Sequence, residues 1–344
     1  MSSTINDVAK LAGVSRQTVS RVINNLPLVK PETVLEVQKA IALLDYHPNA
    51  VARNLAIKTV KTVGLFMPFD VEQVRQNMFF STISATICHY YAKQDFVLQL
   101  FTSPDDRNYS ELFKKLYREK RVGGLILTCP SVNNEDVMEL LAAKIPFVII
   151  GRPGLELEQI NYVDVDNVKA AYLAVQRMLE LGHRKICLLN APSSMTLAVD
   201  IRKGAEEAYR EASMPIGNLS EMHIDLTLKS AYEATLHVLS KDDRPTAFVT
   251  ADDLIVLGIK KATDHLNLSI PTDLSVISVI KNGWADLLPM PLTYIDASFE
   301  DLGTRSAQFM LKTISEPEKK HMMQKKLKPE LILGGTCARV AMPV

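Results

Sequence analysis

Two periodicities divide the chain. Near the amino end, apolar side chains recur at spacings of three and four: Ile5, Val8, Leu11 and Ala12, then Val19, Val22 and Ile23, then Val34, Val37, Ile41 and Leu44 after Pro31. Such spacing lays one apolar stripe along each of three short helices. Thr4, with Asp7 three positions on, reads as a capping box for the first helix. Gly13 suits a left-handed helix stop, and Ser15 can cap the second helix. Pro48 and Asn49 can start a further helix. Asn49 to Ala56 is only about two turns, which is marginal alone in water and is expected to form when something holds it.

After Lys61 the pattern changes. Apolar runs TVGLFMP, FVLQLF, GGLILTCP, PFVIIGR, KICLLN, TAFVTADD and SVISVI alternate with helical stretches. That order predicts a doubly wound α/β architecture whose parallel strands are buried on both faces. Seven runs are too many for one small unit, so two similar lobes with a cleft between them are expected. Ligands of open α/β sheets sit beyond the carboxyl ends of strands, which places candidate residues just after these runs.

The first two helices raise a chemical question. At 100° per residue, Arg16, Gln17, Ser20 and Arg21 share an arc opposite the second apolar stripe. Two short helices across a glycine turn form a helix-turn-helix. Its polar arc has the right donors for a major groove, since arginine forks onto guanine and glutamine pairs with the edge of adenine. The competing reading is a solvated helix with ordinary charges. Charge distribution favours the first. The chain holds 39 basic and 39 acidic residues, but residues 1–61 hold 8 basic against 4 acidic ones, and the remainder is correspondingly acidic. A basic head on an acidic body points to a polyanionic partner for the head.

The 344 residues exceed one ordinary domain. No apolar run reaches the ~18 residues that span a bilayer, and the N-terminus is polar, so a cytoplasmic protein without a membrane partner is expected. Cys88, Cys129, Cys187 and Cys337 are far apart and read as reduced thiols, with Cys129 at a strand end able to line the cleft. A second class of function, an enzyme or exported receptor with an incidental helical head, lacks its signals. There is no Gly-x-x-x-x-Gly-Lys, no Gly-x-Ser-x-Gly and no metal-spaced His/Cys set. No catalytic residue, metal or cofactor is therefore expected. His183, in LGHRKI, reads as structural. Trp284, the single tryptophan, follows a strand, where its ring can either pack or stack on a ligand.

The stretch TINDVAKLAGVSRQTVSRVINN…VKPETVLEVQKAIALLDYHPNAVARNLA resembles the DNA-binding head and hinge of the lactose-repressor (LacI/GalR) family of bacterial transcription regulators. The likeness covers residues 4–56 nearly without a gap. It continues more loosely through VDVDNVKAAYLAV…LELGHRKI, DDLIVLGIKKA, IPTDLSVISVI and PLTYIDASFEDLG. It implies a helix-turn-helix domain over 1–47, a hinge helix and linker over 48–60, and a body over 61–344 similar to periplasmic sugar-binding proteins. Within the body, one lobe would take about 61–162 and 293–323, and the other about 163–292 and 324–344.

By the same resemblance, a homodimer binds double-stranded operator DNA. Its DNA contacts would be Thr4, Ser15, Arg16, Gln17, Thr18, Ser20, Arg21 and Asn24, joined by Asn49, Ala52 and Leu55 of the hinge. Leu55 would wedge into a central base step, at a cost of a few kcal/mol of unstacking offset by the contacts of the bent duplex. A small-molecule effector, a sugar or related metabolite, would occupy the cleft; in part of the family a co-regulator protein takes that place. The carried-over effector residues are Asn77 and Phe79 in NMFF, Arg152 after FVIIG, and Asp253 in DDLIVLG; Arg202 and Trp284 join them as candidates. The pattern departs at several points. Lys30 stands where a serine commonly caps the third helix, and Ile201 where an effector arginine is frequent, with Arg202 one step off. Lys281 falls in VIKN in place of GFDD, Ala297 replaces a glutamine, and FDVEQVRQ is additional. These departures leave open a ligand other than a simple sugar.

Overall fold

The computed structural model describes residues 3–23, 29–47, 60–102, 109–133, 135–154, 160–316 and 322–340. They fall into two compact units, 1–61 and 62–344.

The first unit is built on helices α1 (Ile5–Leu11), α2 (Arg16–Ile23) and α3 (Pro31–Leu43). The capping box forms as the spacing predicts. Asp7 N–H donates to Thr4 Oγ1 at 3.4 Å, and Thr4 N–H to Asp7 Oδ2 at 2.8 Å. Gly13 takes φ +67°, a region open to glycine at little cost. Ser15 Oγ then accepts from Thr18 N–H at 3.1 Å and starts α2. Val8, Val19 and Val37 are wholly buried and, with Ala9, Val22 and Ala40, form the centre of a small core. Ile5, Ala12, Val34, Ile41 and Leu44 pack around it. Lys30 precedes α3 without a side-chain cap, and Pro31 supplies the pre-set first turn.

The second unit contains two six-stranded sheets. In chain order its elements are β1 (Thr62–Met67), α4 (Val71–Gln76), α5 (Met78–Ala92), β2 (Val97–Thr102), α6 (Tyr109–Arg118), β3 (Gly124–Thr128), α7 (Glu135–Ala142), β4 (Phe147–Ile150), β5 (Tyr162–Val165), α8 (Asn167–Glu180), β6 (Ile186–Asn190), α9 (Thr196–Glu211), β7 (Leu219–His223), α10 (Leu228–Leu239), β8 (Ala247–Thr250), α11 (Asp253–His265), β9 (Ser275–Ser278), β10 (Thr293–Asp296), α12 (Phe299–Ser315), β11 (Gln324–Leu327) and β12 (Glu330–Ile332). One sheet runs β11-β5-β4-β3-β1-β2 and is parallel throughout. The other runs β12-β10-β9-β8-β6-β7, with only β12 antiparallel.

Burial on both faces explains the unbroken apolar runs of these strands except β2, which lies at a sheet edge with Val97 and Leu100 exposed. Ile126 of β3 points into one core with Val63 and Leu65, beneath α5 and α12. Its neighbours Leu125 and Leu127 point into the opposite core with Phe113 and Leu140 of α6 and α7. Alternation in direction without alternation in polarity marks a covered parallel sheet.

The chain crosses between lobes three times: after β5, after β10 and after β11. The sequence expects the first crossing near residue 162, whereas β5 continues in the first sheet to Val165. It also expects 293–323 in the first lobe. Instead Thr293–Asp296 pair with β9 and β12 in the second sheet, and Gln324–Leu327 pair with β5 in the first. Each boundary moves a few residues because strand partners, not local composition, decide which sheet a short strand joins.

Candidate functional site

In the head, packing of Val19 and Val22 into the core turns the opposite side of α2 outward. Arg16 and Gln17 are exposed; Thr18, Ser20 and Arg21 are half-buried. No ion pair among the described residues takes up Arg16 or Arg21. Thr4 and Ser15 are engaged in capping, and Thr18 Oγ1 lies 2.9 Å from Ser15 Oγ. Asn24, Asn49, Ala52 and Leu55 lie outside the described residues. The arc therefore presents two guanidinium groups and one amide on a short rigid helix, a size and chemistry that fit a major groove.

In the body, a cavity opens between the lobes at the carboxyl ends of both sheets. The first lobe supplies Asn77 and Phe79 at the start of α5, Cys129 and Pro130 after β3, Arg152 after β4, and Asp164 at the end of β5. The second supplies Met195 and Thr196 at the start of α9, Asp252 after β8 and Asn282 after β9. This is where open α/β sheets place ligands. Asn77 caps α5, its Oδ1 accepting from Phe79 N–H at 3.0 Å. Burial pushes the Cys129 thiol up to about 12, so it lines the wall as a neutral group.

Arg152 reaches across the lobes. Its Nη2 lies 2.7 Å from Asp200 Oδ1 on α9 and its Nε 3.1 Å from Oδ2, a two-pronged contact, while Nη1 donates to Pro153 O at 3.1 Å. Asp164 stands beside this pair, with Oδ1 accepting from Val165 N–H at 2.8 Å and Asn167 Nδ2 at 3.2 Å. Burial, reinforced by the Asp200 charge, pushes its carboxyl up to about 7.

Three expected cavity residues stand elsewhere. Asp253 is fully buried; its Oδ2 accepts 3.0 Å bonds from Gly283 and Ala285 N–H, and it anchors the loop after β9. The adjacent Asp252 lines the cavity instead. It caps α11 through Leu254 N–H at 2.7 Å and receives a short hydrogen bond from Asn282 Nδ2. Burial raises the affinity of both aspartates for a proton, and at Asp252 the neighbouring Asp253 charge adds to it. Arg202 does not line the cavity, because it pairs with Glu206 at 2.5 Å and Glu221 at 3.4 Å while Ile201 fills the core. Trp284 does not line it either, since its Nε1 donates to Gln76 O at 2.7 Å.

Asp164, Asp252 and Asn282 are the cavity's acceptors that the sequence did not single out. All follow or end strands, so the strand-end rule pointed to their neighbourhood; choosing between two consecutive aspartates needed the helix direction.

Other departures have structural uses. Lys281 pairs with Asp286 at 2.9 Å, Ala297 joins the first lobe's core, and FDVEQVRQ contains α4. His183 is buried, with Nδ1 2.8 Å from Thr246 Oγ1 and Nε2 3.1 Å from Ala338 O, a structural role. Among the described residues, no three His, Cys, Asp or Glu side chains come together as a metal site, and no helix is long and apolar enough to cross a membrane.

Comparison with known proteins decides the family. Residues 4–49 match bacterial regulatory proteins of the lacI family, and residues 175–337 match the periplasmic binding protein-like domain. The HTH-type transcriptional repressor PurR of Histophilus somni is 30% identical over 333 residues, covering 96% of this chain and 98% of the relative. The chain belongs to the LacI family. A lac repressor dimer bound to operator and the anti-inducer ONPF superposes with a TM-score of 0.82 at 26% identity, covering 98% of this chain and 100% of that one. A complex of the transcriptional regulator CelR with cellobiose gives 0.72 at 27% identity, covering 97% and 99%. This LacI-family protein is a DNA-binding transcription regulator with an effector-controlled body. The relatives named here are regulators, not enzymes.

Proposed function

We propose that this LacI-family regulator is a cytoplasmic homodimer that presents two heads to a near-palindromic operator, with Arg16, Gln17 and Arg21 reading bases in successive major grooves. The observation that carries the DNA reading is the α2 face itself, on which Arg16 and Gln17 are exposed above a core closed by Val19 and Val22. Half-sites would lie about one helical turn, or a simple multiple, apart. The hinge residues Asn49, Ala52 and Leu55 would order in the minor groove between the heads.

A small polar metabolite of sugar type would bind between the lobes, contacted by Asn77, Phe79, Arg152, Asp164, Asp252 and Asn282. The CelR complex, with cellobiose bound, supports this class of ligand. Binding would change the lobe angle and with it the spacing of the hinges. The coupling is reciprocal: a ligand that weakens DNA binding must itself bind the DNA-bound protein less well, typically by ~1–3 kcal/mol.

Genome-wide footprinting of the full chain tests the reading. It should return an enriched inverted repeat beside a small set of genes. Uniform occupancy without a motif would overturn sequence-specific regulation.

A further inference from the structure

The charges around the cavity are unbalanced. Among the described residues that line it, Arg152 is the single cation, and the fork of its guanidinium is already held by Asp200 from the second lobe. Against it stand two lining carboxylates, Asp164 and Asp252, which are 4% exposed each. Asn282 adds a third acceptor. It is 8% exposed, its Nδ2 is committed to Asp252, and its Oδ1 has no hydrogen-bond partner. A buried acceptor left unpaired is costly, and a ligand donor can recover that loss.

These groups ask for donors and offer a negative field. We infer that the cavity takes a polyhydroxylated ligand bearing a protonated amine, such as an amino sugar, binds its neutral counterpart less tightly, and rejects phosphorylated or carboxylated forms of the same skeleton. The inference rests on the cavity being the effector site and adds the charge class of its occupant. The ammonium would sit between Asp252 and Asp164, and a hydroxyl would donate to Asn282 Oδ1. Burial is the main reason both carboxylates hold a proton more tightly than usual, and a ligand cation between them would favour their charged forms. A phosphate would meet both carboxylates, and like charges so placed repel.

The test uses the full-length protein and matched triplets: glucosamine, glucose and glucose 6-phosphate; galactosamine, galactose and galactose 6-phosphate; and a nucleoside series of 3′-amino-3′-deoxyadenosine, adenosine and AMP. Thermal shift at pH 7.5 and constant ionic strength selects the binding series, and calorimetry gives the affinities. The amine should bind about tenfold or more tighter than the phosphate ester of its series. In Asp252→Asn and Asp164→Asn that ratio should shrink; asparagine is as good a helix cap as aspartate, so α11 keeps its start. A phosphate ester as the strongest ligand, or a charge preference unchanged in both variants, overturns the inference. Failure of every series to stabilise the protein would instead overturn the reading of the cavity as a site for metabolites of this type.

Discussion

Trp284 is tied to Gln76 across the two lobes, its Nε1 donating a 2.7 Å hydrogen bond to the Gln76 carbonyl. The donor stands in a short 3₁₀ turn after β9 of the second lobe, and the acceptor ends α4 of the first. The turn is held by Asp253, whose carboxylate receives both the Gly283 and Ala285 amides. Gly283 sits at φ +107°, where a side chain would be strained, with Met78 3.5 Å from the Cβ position. The additional segment Phe69–Gln76 and the lone tryptophan thus meet at one closing contact between lobes.

Replacing Trp284 with phenylalanine should keep most of the packing and remove the donor. Urea unfolding followed by circular dichroism should show a loss of about 1 kcal/mol, the usual net value of one such bond. An unchanged midpoint would show that the contact adds nothing to closure.

The Arg152–Asp200 ion pair is another interlobe tie. Asp200 is 5% exposed, so Arg152→Ala strands a buried carboxylate, whereas Asp200→Asn leaves the better-solvated guanidinium. Arg152→Ala should cost about 2 kcal/mol and more than Asp200→Asn. Equal losses measured by urea titration would mean that burial of Asp200 is not what makes the pair matter.

Arg21→Ala should weaken binding to the operator by about 5- to 150-fold in fluorescence anisotropy, while affinity for random duplex changes little. Equal loss on both duplexes would reassign Arg21 to a phosphate. Effector affinity, measured by calorimetry, should be unchanged.

Asp164 gives a signed pH dependence. Its carboxyl titrates near 7 in the folded state against an ordinary value of 3.8, so the native state binds the proton more tightly than the unfolded chain. Its contribution is complete below the unfolded value and is lost as pH rises through about 7. Between pH 6 and pH 8 the wild type should lose about 1 kcal/mol more than Asp164→Asn. Parallel stability profiles for the two proteins would refute the assignment.

Much of this molecule was written in local pattern. The stripes Val8, Val19 and Val37, the Thr4–Asp7 box and Gly13 each act within a few residues, so spacing alone revealed the head. The seven apolar runs all became strands, six of them because strands buried on both faces must be apolar throughout, while β2 lies at a sheet edge with Val97 and Leu100 exposed. β5, β7, β10, β11 and β12 lay outside the seven runs: YVDV, LSEMH, TYID, QKKL and ELI are short and carry polar residues, and pairing with neighbouring strands makes them strands.

Arg152, Asn77 and Phe79, expected from the family resemblance, and Cys129, expected from its place at a strand end, line the cavity. Arg202, Asp253 and Trp284 do not: Asp252 takes the lining place next to Asp253, Arg202 turns to Glu206 and Glu221, and Trp284 reaches the Gln76 carbonyl. The sequence by itself determined a three-helix head, an α/β body and the loops that meet at its cleft, because periodic burial is a local property. Only the tertiary structure decided the cavity's carboxylates, the ion pair and the tryptophan tie, because these depend on groups brought together from distant parts of the chain.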